Sequence, residues 1–263
     1  MKKYLVVGNP IKHSLSPRLH NYWIKKNNIE AEYDKKKVEN NELQNLINKI
    51  KDKEINGINV TVPFKKEIIP FLEKLSPEAK DTQSVNTIYL ENDIVIGHNT
   101  DIYGFKSAIE DTKYDVINKN VFILGAGGVV PSIIYALNKM KVSSITLSNR
   151  TISKAKDLQE LFGDLKIVNW GEMPDFDMII NATSLGLNEN DKINLNFSKL
   201  KQNKFFFDVI YNPIETNFLK TGKKLGNVTE NGKKMFIYQA AEAFKIWHGV
   251  QPEINQEIYE LIN

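Results

Sequence analysis

The stretch NVTVPFK at residues 59–65 delivers a lysine directly after a short apolar strand that a proline interrupts. A lysine held at such a point can protonate a forming alkoxide or accept the proton of a hydroxyl. Asn59 and Thr61 lie two residues apart on the same predicted strand, so their side chains share one face. These residue types favour a binding or catalytic site over a plain turn.

The apolar residues of the same stretch are expected to hold Lys65 in place. Val60 and Val62 alternate with the polar pair and should point into the core. Pro63 ends the strand where its missing N–H does little harm. Phe64 is expected to anchor the turn by burial, so that Lys65 is fixed rather than free in solvent.

Other polar residues gather at the ends of predicted strands. Ser14 and Ser16 precede a helix, where two hydroxyls and free N–H groups suit a carboxylate, although Ser16 could simply be the helix N-cap. Asn86 follows a strand, and Asp101 follows a predicted hairpin. Each residue alone could be a loop cap or a surface group. Together, hydroxyls, amides, one lysine and one aspartate suit a small polyhydroxylated acid.

A glycine-rich loop, GAGG at 125–128, follows a predicted strand and opens a helix. Glycines let the backbone approach a pyrophosphate, and the helix N-terminus offers free N–H groups; an ordinary strand-to-helix turn is the alternative. The next strand ends in SNRT, where an NAD site usually carries Asp or Glu. Arg150 can instead hold a 2′-phosphate, which predicts NADP, unless it is only a surface arginine.

Composition excludes several classes of protein. The 263 residues are 41% hydrophobic and 25% charged and contain no cysteine, so disulfides and Cys-based zinc sites are absent. No apolar run approaches the roughly 18–20 residues of a membrane span, and the apolar run Tyr4–Val7 is too short for a signal peptide. The run Lys35–Lys37 lacks an aromatic platform, so we expect a solvated edge and no nucleic-acid partner. The four histidines lack ligand-like spacing, so no metal is expected. The absence of cysteine fits a reducing cytoplasm, which is the expected location.

Short apolar strands alternate with helical patterns, which predicts an α/β protein with parallel sheets. The expected strands are residues 4–8, 30–38, 55–62, 87–90, 94–97, 120–124, 144–148, 166–168, 178–181 and 205–210. The expected helices are residues 16–27, 42–51, one from Ser76, 129–140, 153–162, 235–248 and 254–262. We therefore expect residues 1–102 with 235–263 to form one discontinuous domain and 103–234 a nucleotide-binding domain, with a cleft between two lobes.

The chain resembles the shikimate dehydrogenase family nearly end to end. The resemblance rests on motifs in the family's order: GNPIKHSLSP, GINVTVPFK, SVNTI, GHNTDIYGF, ILGAGG, SNRT, NATSLG, DVIYNP and YQAAEAFKIWHG. It implies reversible NADP-linked reduction of 3-dehydroshikimate to shikimate, a step of aromatic amino-acid biosynthesis. It also implies an N-terminal substrate domain, a Rossmann-like NADP-binding domain and a small-molecule substrate. The protein is expected to be a monomer or a homodimer, with no membrane partner.

The resemblance also implies residue roles. Lys65 and Asp101 are the implied catalytic pair, which we treat as one coupled unit without assigning the proton to either member. The implied substrate-binding residues are Ser14, Ser16, Asn59, Thr61, Lys65, Asn86, Asp101, Tyr211 and Gln239. The implied cofactor-binding residues are Gly125, Ala126, Gly127, Gly128, Asn149, Arg150, Thr151, Thr183 and Met235.

Two residues depart from the family pattern, and both lie in the cofactor half. Pro131 stands where the family usually has Arg or Lys, and Lys234 stands where it has Gly before the methionine. The first could remove a phosphate contact and the second could bring a side chain near the nicotinamide. Two alternatives to the biosynthetic enzyme stay open: a quinate/shikimate dehydrogenase that uses NAD, and a ligand sensor without catalysis.

Overall fold

The computed structural model describes residues 1–198 and 200–262. The chain forms two compact units, one of Met1–Gly104 with Ile237–Asn263 and the other of Phe105–Phe236. Each unit is built on a six-stranded sheet. None of the helices in the described part of the chain is both long and apolar enough to cross a membrane.

The elements follow one another in an order that mixes strands and helices throughout. In chain order they are β1 Lys2–Gly8, α1 Ser16–Lys26, β2 Ala31–Lys37, α2 Leu43–Lys51, β3 Gly57–Val60, β4 Lys74–Leu75, α3 Pro77–Thr82, β5 Thr87–Glu91, β6 Ile94–His98, α4 Asp101–Asp111, β7 Asn120–Leu124, α5 Val130–Lys139, β8 Ser144–Ser148, α6 Ile152–Phe162, β9 Lys166–Val168, β10 Met178–Asn181, β11 Phe205–Asp208, α7 Asn217–Lys224, β12 Val228–Glu230, α8 Lys233–His248 and α9 Gln256–Leu261. Short 3₁₀ turns cover Asn40–Glu42 and Ile69–Phe71. The predicted α/β class is confirmed.

The sheet of the first unit has the strand order β2-β1-β3-β5-β6-β4. β1 runs parallel to β2 and β3, whereas β5 is antiparallel to β3 and to β6. The sheet is therefore mixed, and the expectation of parallel sheets does not hold here because the hairpin β5–β6 reverses the chain. Helix α2 packs on this sheet with an apolar face formed by Leu43, Leu46, Ile47 and Ile50, all of which are buried.

The stretch NVTVPFK leaves the sheet earlier than predicted. β3 ends at Val60, which is buried, whereas Val62 is 56% exposed, so the prediction that Val62 points into the core is wrong. Side chains alternate between faces only while the strand continues. After Val60 the chain turns, with the Phe64 N–H donating to the Thr61 carbonyl at 3.0 Å. Phe64 is 3% exposed, which confirms the predicted anchor.

The sheet of the second unit is parallel throughout and has the order β12-β11-β10-β7-β8-β9. Numbered within this unit the order is 6-5-4-1-2-3, the arrangement of dinucleotide-binding sheets. The four central strands, β7, β8, β10 and β11, are almost entirely buried, and β11 carries the aromatic run FFF. The strand order reverses between β7 and β10, so the loops after these two strands lie side by side where such sheets bind ligands.

Candidate active site

Lys65 and Asp101 are in direct contact in the first unit. Lys65 Nζ lies 2.5 Å from Asp101 Oδ2. The two residues are only 8% and 6% exposed, so the ion pair is buried. Water contributes little to the solvation of either charge, and each charge depends on the other and on nearby polar groups.

Separate backbone features hold the two members of the pair. The Val85 N–H donates to the Lys65 carbonyl at 2.8 Å, which ties the turn after Pro63 to the chain before β5. Asp101 is the first residue of α4, a helix that the sequence patterns did not predict, so its carboxylate lies at the positive end of the helix dipole. The Asp101 N–H donates to Asn99 Oδ1 at 3.1 Å. The backbones of both residues are therefore held in place, which limits where their side chains can lie.

Asn86 lies beside the pair and occupies the second carboxylate oxygen. Its Nδ2 group donates to Asp101 Oδ1 at 3.0 Å and lies 3.4 Å from Gln239 Oε1. The Thr100 N–H donates to Asn86 Oδ1 at 2.7 Å. Asp101 therefore accepts one hydrogen bond on each oxygen, and Asn86 links it to Gln239 on α8.

Asn59 is one step farther from the pair and is fully engaged by the protein. Its Nδ2 group donates to the Asn86 carbonyl and to Thr87 Oγ1, both at 3.1 Å. Its Oδ1 accepts from the Tyr33 hydroxyl at 2.7 Å. Because both N–H groups are used, Asn59 is suited to orienting its partners, which was one of the two roles that the resemblance implied.

Ser14 and Ser16 lie at the start of α1. The helix begins at Ser16, the N-cap position is Leu15, and no side chain caps it among the described residues, so the N-cap role for Ser16 is wrong. Ser14 Oγ instead accepts from the Ser16 N–H at 3.3 Å. Pro17 lies in the first turn of the helix, where its missing N–H has no intrahelical partner. The Ser16 hydroxyl is thus not committed to the helix end.

Thr61 comes close to the end of β1. Its N–H donates to the Val7 carbonyl at 2.9 Å. A Cβ atom on Gly8 would lie 2.5 Å from Thr61 Cγ2, so only glycine allows this approach. Gly8 therefore sets the position of the turn that carries Lys65, a role that the sequence patterns did not reveal.

In the second unit, the GAGG loop meets the geometric requirements of a phosphate-binding turn. Gly125 has φ +111°, and a Cβ there would lie 2.7 Å from the Ala182 carbonyl oxygen, so glycine is required. A Cβ on Gly127 would meet no described atom within 4 Å, so space is open beside the loop. Helix α5 begins at Val130 directly after it. Ala126 and Gly128 lie in the same turn.

The residues after β8 present a cation to solvent. Asn149 Nδ2 donates to the Thr151 carbonyl at 2.7 Å, which closes a short turn around Arg150. Arg150 and Thr151 are exposed, and no hydrogen bond or ion pair to Arg150 is found within residues 1–198 and 200–262. An unpaired, exposed guanidinium next to the glycine loop fits a 2′-phosphate, and this donor set therefore fits NADP.

Thr183 lies after β10, and Met235 lies near the start of α8. Thr183 Oγ1 donates to Asn181 Oδ1 at 2.7 Å and accepts from the Leu185 N–H at 3.0 Å, which fixes the loop after β10. Met235 is 6% exposed in the first turn of α8. Tyr211 stacks on Phe236 with ring centroids 4.6 Å apart, and burial raises the pKa of its hydroxyl.

The two departures from the family pattern have local explanations. Lys234 Nζ lies 2.7 Å from Asp111 Oδ2 and 3.3 Å from Glu230 Oε2, so two carboxylates hold the side chain. Pro131 is buried in the first turn of α5, where its missing N–H has no intrahelical partner. Pro131 therefore packs, and it offers no charge to a phosphate.

Asp208 is a buried acid that the sequence patterns did not single out. It is fully buried at the end of β11, and burial raises its pKa to about 6. Its carboxylate accepts from Thr216 Oγ1 at 2.6 Å, the Ile210 N–H at 3.0 Å and Asn181 Nδ2 at 3.1 Å. The signal in the sequence that could have indicated it was an aspartate directly after the apolar run FFF, at the start of DVIYNP. Asp208 joins the loops after β10 and β11.

Within the described ranges, no group of three or more histidine, aspartate or glutamate residues could hold a metal ion. A dinucleotide-binding sheet and a separate mixed-sheet unit with a buried Lys–Asp pair define a two-domain, nucleotide-binding α/β protein. Three family models match successive parts of the chain: shikimate dehydrogenase substrate binding domain at residues 6–88, shikimate / quinate 5-dehydrogenase at 107–221 and shikimate 5′-dehydrogenase C-terminal domain at 234–256. The chain belongs to the shikimate dehydrogenase family, which confirms the resemblance drawn from its motifs.

Relatives match over the full length of the chain. The shikimate dehydrogenase (NADP(+)) of Pelagibacter ubique is 58% identical over 262 residues, which covers 100% of this chain and 99% of the relative. A crystal structure of a shikimate dehydrogenase in complex with NADP⁺ has a TM-score of 0.93 at 36% identity, covering 100% of this chain and 94% of the other. Shikimate 5-dehydrogenase from Listeria monocytogenes, solved with shikimate and NAD, has a TM-score of 0.92 at 27% identity, covering 100% and 96%.

Proposed function

We propose that this protein is an NADP-dependent oxidoreductase that reversibly reduces 3-dehydroshikimate to shikimate in aromatic amino-acid biosynthesis. The observation that carries the proposal is the buried Lys65–Asp101 pair at 2.5 Å, with Asn86 bonded to the other carboxylate oxygen, in a chain of this family. A buried, hydrogen-bonded pair of this kind can hold a transferable proton in a fixed position.

Bound NADPH would supply the hydride that reduces the ketone carbon. The protein then has to deliver one proton to the ketone oxygen as it becomes an alkoxide. The Lys65–Asp101 unit delivers that proton in the reduction and takes it from the hydroxyl in the oxidation. The proton belongs to the coupled pair rather than to one named member.

The remaining site residues position the two ligands. Ser14 and Ser16, helped by Tyr211, are proposed to bind the carboxylate of the substrate. Thr61, Asn86 and Gln239 are proposed to bind or orient ring hydroxyls, with Asn59 orienting its neighbours. The proposed cofactor contacts are Gly125, Ala126, Gly127 and Gly128 for the pyrophosphate, Asn149, Arg150 and Thr151 for the adenosine phosphate, and Thr183 and Met235 for the nicotinamide.

The proposal is tested by a two-by-two comparison of initial rates. Purified full-length protein is assayed with shikimate or quinate, each with NADP or NAD, by the absorbance of the reduced cofactor. We expect the highest kcat/KM with shikimate and NADP. Absence of turnover with shikimate and either cofactor would contradict the proposal.

Quinate is a second candidate substrate, because the family model that matches residues 107–221 is described as shikimate / quinate 5-dehydrogenase. Arg150 disfavours NAD as the cofactor in either case, since its charge suits a 2′-phosphate. A kcat/KM with quinate equal to that with shikimate would favour this second function.

We also propose the cellular and domain context of the reaction. Residues 1–102 with 235–263 are proposed as the substrate domain and 103–234 as the NADP-binding domain, in a cytoplasmic monomer or homodimer. Light scattering coupled to size exclusion separates the two oligomeric states, and fractionation of the source cells tests the location.

A further inference from the structure

The function proposed above leaves one buried acid of the second unit, Asp208, without a role. We propose that the carboxylate of Asp208 stabilises the positive charge of the oxidised nicotinamide ring, so that the protein binds NADP⁺ more tightly, relative to NADPH, than it would with a neutral residue at this position. The proposal rests on the function proposed above and deepens it.

The order of the strands assigns the two halves of a dinucleotide to the two halves of the second sheet. Sheets of this order bind one mononucleotide on each half, outside the carboxyl ends of the strands. The glycine loop follows β7 and Arg150 follows β8, so these groups suit the adenosine half of NADP. The nicotinamide half is therefore left to the carboxyl ends of β10 and β11.

Asp208 lies at that edge of the sheet. It is the last residue of β11 and is paired in register with Asn181, the last residue of β10. Asn181 donates to Asp208 and accepts from the Thr183 hydroxyl at 2.7 Å, so one amide group links the carboxylate to a residue proposed to contact the nicotinamide. A Cβ on Gly125 would lie 2.7 Å from the Ala182 carbonyl oxygen, so the loop after β10 also lies against the glycine loop.

The hydrogen-bond partners of Asp208 do not balance its charge. Its Oδ1 accepts from the Ile210 N–H at 3.0 Å and from Asn181 Nδ2 at 3.1 Å, and its Oδ2 accepts from Thr216 Oγ1 at 2.6 Å. A backbone amide, a side-chain amide and a hydroxyl are all neutral donors. Both carboxylate oxygens are therefore hydrogen-bonded, but none of these partners neutralises the negative charge.

The charge is costly to keep in the interior, and the hydrogen bonds alone do not require it. Burial raises the pKa of Asp208 to about 6, so the folded protein disfavours the ionised form. An asparagine has nearly the same shape, and its oxygen could accept from the two N–H groups that meet Oδ1. Buried charges in proteins are paired as a rule. A cationic ligand group at this edge of the sheet accounts for a carboxylate here.

The nicotinamide ring differs in charge between the two forms of the cofactor, which makes a nearby carboxylate selective. The ring carries one positive charge in NADP⁺ and is neutral in NADPH, because the hydride takes two electrons with it. A negative charge stabilises the cationic ring and leaves the neutral ring almost unaffected. Asp208 is therefore expected to favour bound NADP⁺, and so to shift the equilibrium of the bound ligands toward shikimate.

The test measures the dissociation constants of NADP⁺ and NADPH by isothermal titration calorimetry at pH 7.5, with the full-length wild type and Asp208→Asn. We expect Asp208→Asn to raise Kd for NADP⁺ at least about fivefold, the order of magnitude for two unit charges within one site, while Kd for NADPH stays within about twofold. Equal changes in the two constants, or no change in either, would overturn the proposal. Asp208→Ser, which also removes the charge, serves if Asp208→Asn does not fold.

Two control variants separate the charge from its surroundings. Asp177→Asn removes a carboxylate just before β10, at the opposite edge of the sheet, where Lys204 Nζ lies 3.6 Å from it. It should change neither constant more than about twofold. Thr216→Val removes a hydrogen bond to Asp208 but keeps the charge, and should leave the ratio of the two constants within about twofold of wild type. A fivefold change of the ratio in either control would contradict the proposal.

The binding measurement is independent of turnover, so the two proposals can fail separately. If Asp208→Asn changes the ratio of the constants as expected but the wild type does not turn over shikimate, the proposed function is wrong and the role of Asp208 stands. If the wild type turns over shikimate with NADP and Asp208→Asn leaves the ratio unchanged, the role of Asp208 is wrong and the proposed function stands.

Discussion

The two units differ in how far their proposed site residues are exposed to solvent. In the first unit Lys65, Asp101 and Asn86 are 8%, 6% and 3% exposed, and their polar groups bond to one another. In the second unit Arg150 is exposed and the space beside Gly127 is open. A buried polar group without a partner costs about 1–3 kcal/mol, whereas an exposed guanidinium is solvated by water. The polar groups of the first unit are therefore already hydrogen-bonded to one another without a ligand. The second unit instead exposes a charged group with which a ligand of opposite charge could pair.

The largest effect is expected from removing Lys65 from the buried Lys65–Asp101 pair. Lys65→Ala should lower kcat with shikimate by about 10²–10⁴-fold, because general acid–base catalysis contributes that much. It should also lower the free energy of unfolding by about 3–5 kcal/mol, since it leaves Asp101 buried without its cation. Steady-state rates and urea unfolding measure the two effects.

Lys66→Ala is the matched control, because Lys66 is the adjacent lysine and is exposed. It should leave both kcat and stability close to wild type. A folded Lys65→Ala protein that binds shikimate and turns over at a near-normal rate would rule out the catalytic pair.

A substitution of Arg150 in the second unit should change the selectivity between NADP and NAD rather than turnover. Arg150→Ala should lower kcat/KM with NADP by about 10–100-fold, because a hydrogen bond to a charged group contributes about 1.5–3 kcal/mol. The value with NAD, which lacks the 2′-phosphate, should change less than about threefold. Lys154→Ala, at an exposed lysine of α6, should affect neither cofactor. Equal losses with NADP and NAD would refute the role of Arg150.

His20 makes the first unit less stable in acid. Burial, followed by the charge of His248, lowers the pKa of His20 to about 3 from 6.5. The unfolded chain therefore binds the proton more readily, so stability is complete above pH 6.5 and is lost as the pH falls toward 3. At pH 5 the loss from this residue is roughly 2 kcal/mol.

Urea unfolding of His20→Phe at pH 7.5 and pH 5 checks this. The variant should gain about 2 kcal/mol relative to wild type between the two pH values, because it keeps a ring against Tyr33 and cannot be protonated. The same relative stability at both pH values would contradict the assignment.

Asp208 gives the second unit the opposite dependence. Burial raises its pKa to about 6 from 3.8, so its contribution to stability is complete below pH 3.8 and is lost as the pH rises through 6. The change amounts to about 2–3 kcal/mol between pH 4 and 7.5. Asp208→Asn should remove it, which urea unfolding of the variant at both pH values would show. A pH dependence equal to that of wild type would count against it.

The smallest effect is expected at Lys234. Because Asp111 and Glu230 hold its Nζ at 2.7 Å and 3.3 Å, the side chain is not free to occupy other space. Lys234→Ala should change KM for NADP by less than about threefold. A tenfold change in cofactor affinity, measured by fluorescence titration, would show that the lysine does reach the cofactor.

The strands of the second unit were predictable because local pattern decides them. β7, β8, β9 and β10 begin and end at the predicted residues, since each is a short run rich in apolar residues that lies between turn residues. Helix α4 was missed because its first residues, from Asp101, were interpreted as a site motif after the hairpin. Val62 was misplaced because the chain turns one residue after Val60, which alternation cannot reveal.

The residues of the candidate site also differ in whether the sequence alone could predict them. Motif residues such as Lys65, Asp101 and Arg150 could be named from the chain alone, because their types and order are specific to the family. Tyr33 could not, although a single aromatic residue in the charged strand AEYDKKK was a signal. Its hydroxyl donates to Asn59, which lies 26 residues away in the chain.

The sequence by itself determined the family, the α/β class and the chemical identity of the groups at the site, because these depend on residue type and local spacing. Only the tertiary structure decided which groups are buried together, which amide atom faces which partner, and that Lys234 is held by carboxylates. The physical reason is that hydrogen-bond direction and burial depend on atoms brought together from distant parts of the chain. The lysine of NVTVPFK is a chemical group in the sequence, and its 2.5 Å contact with Asp101 exists only in the folded protein.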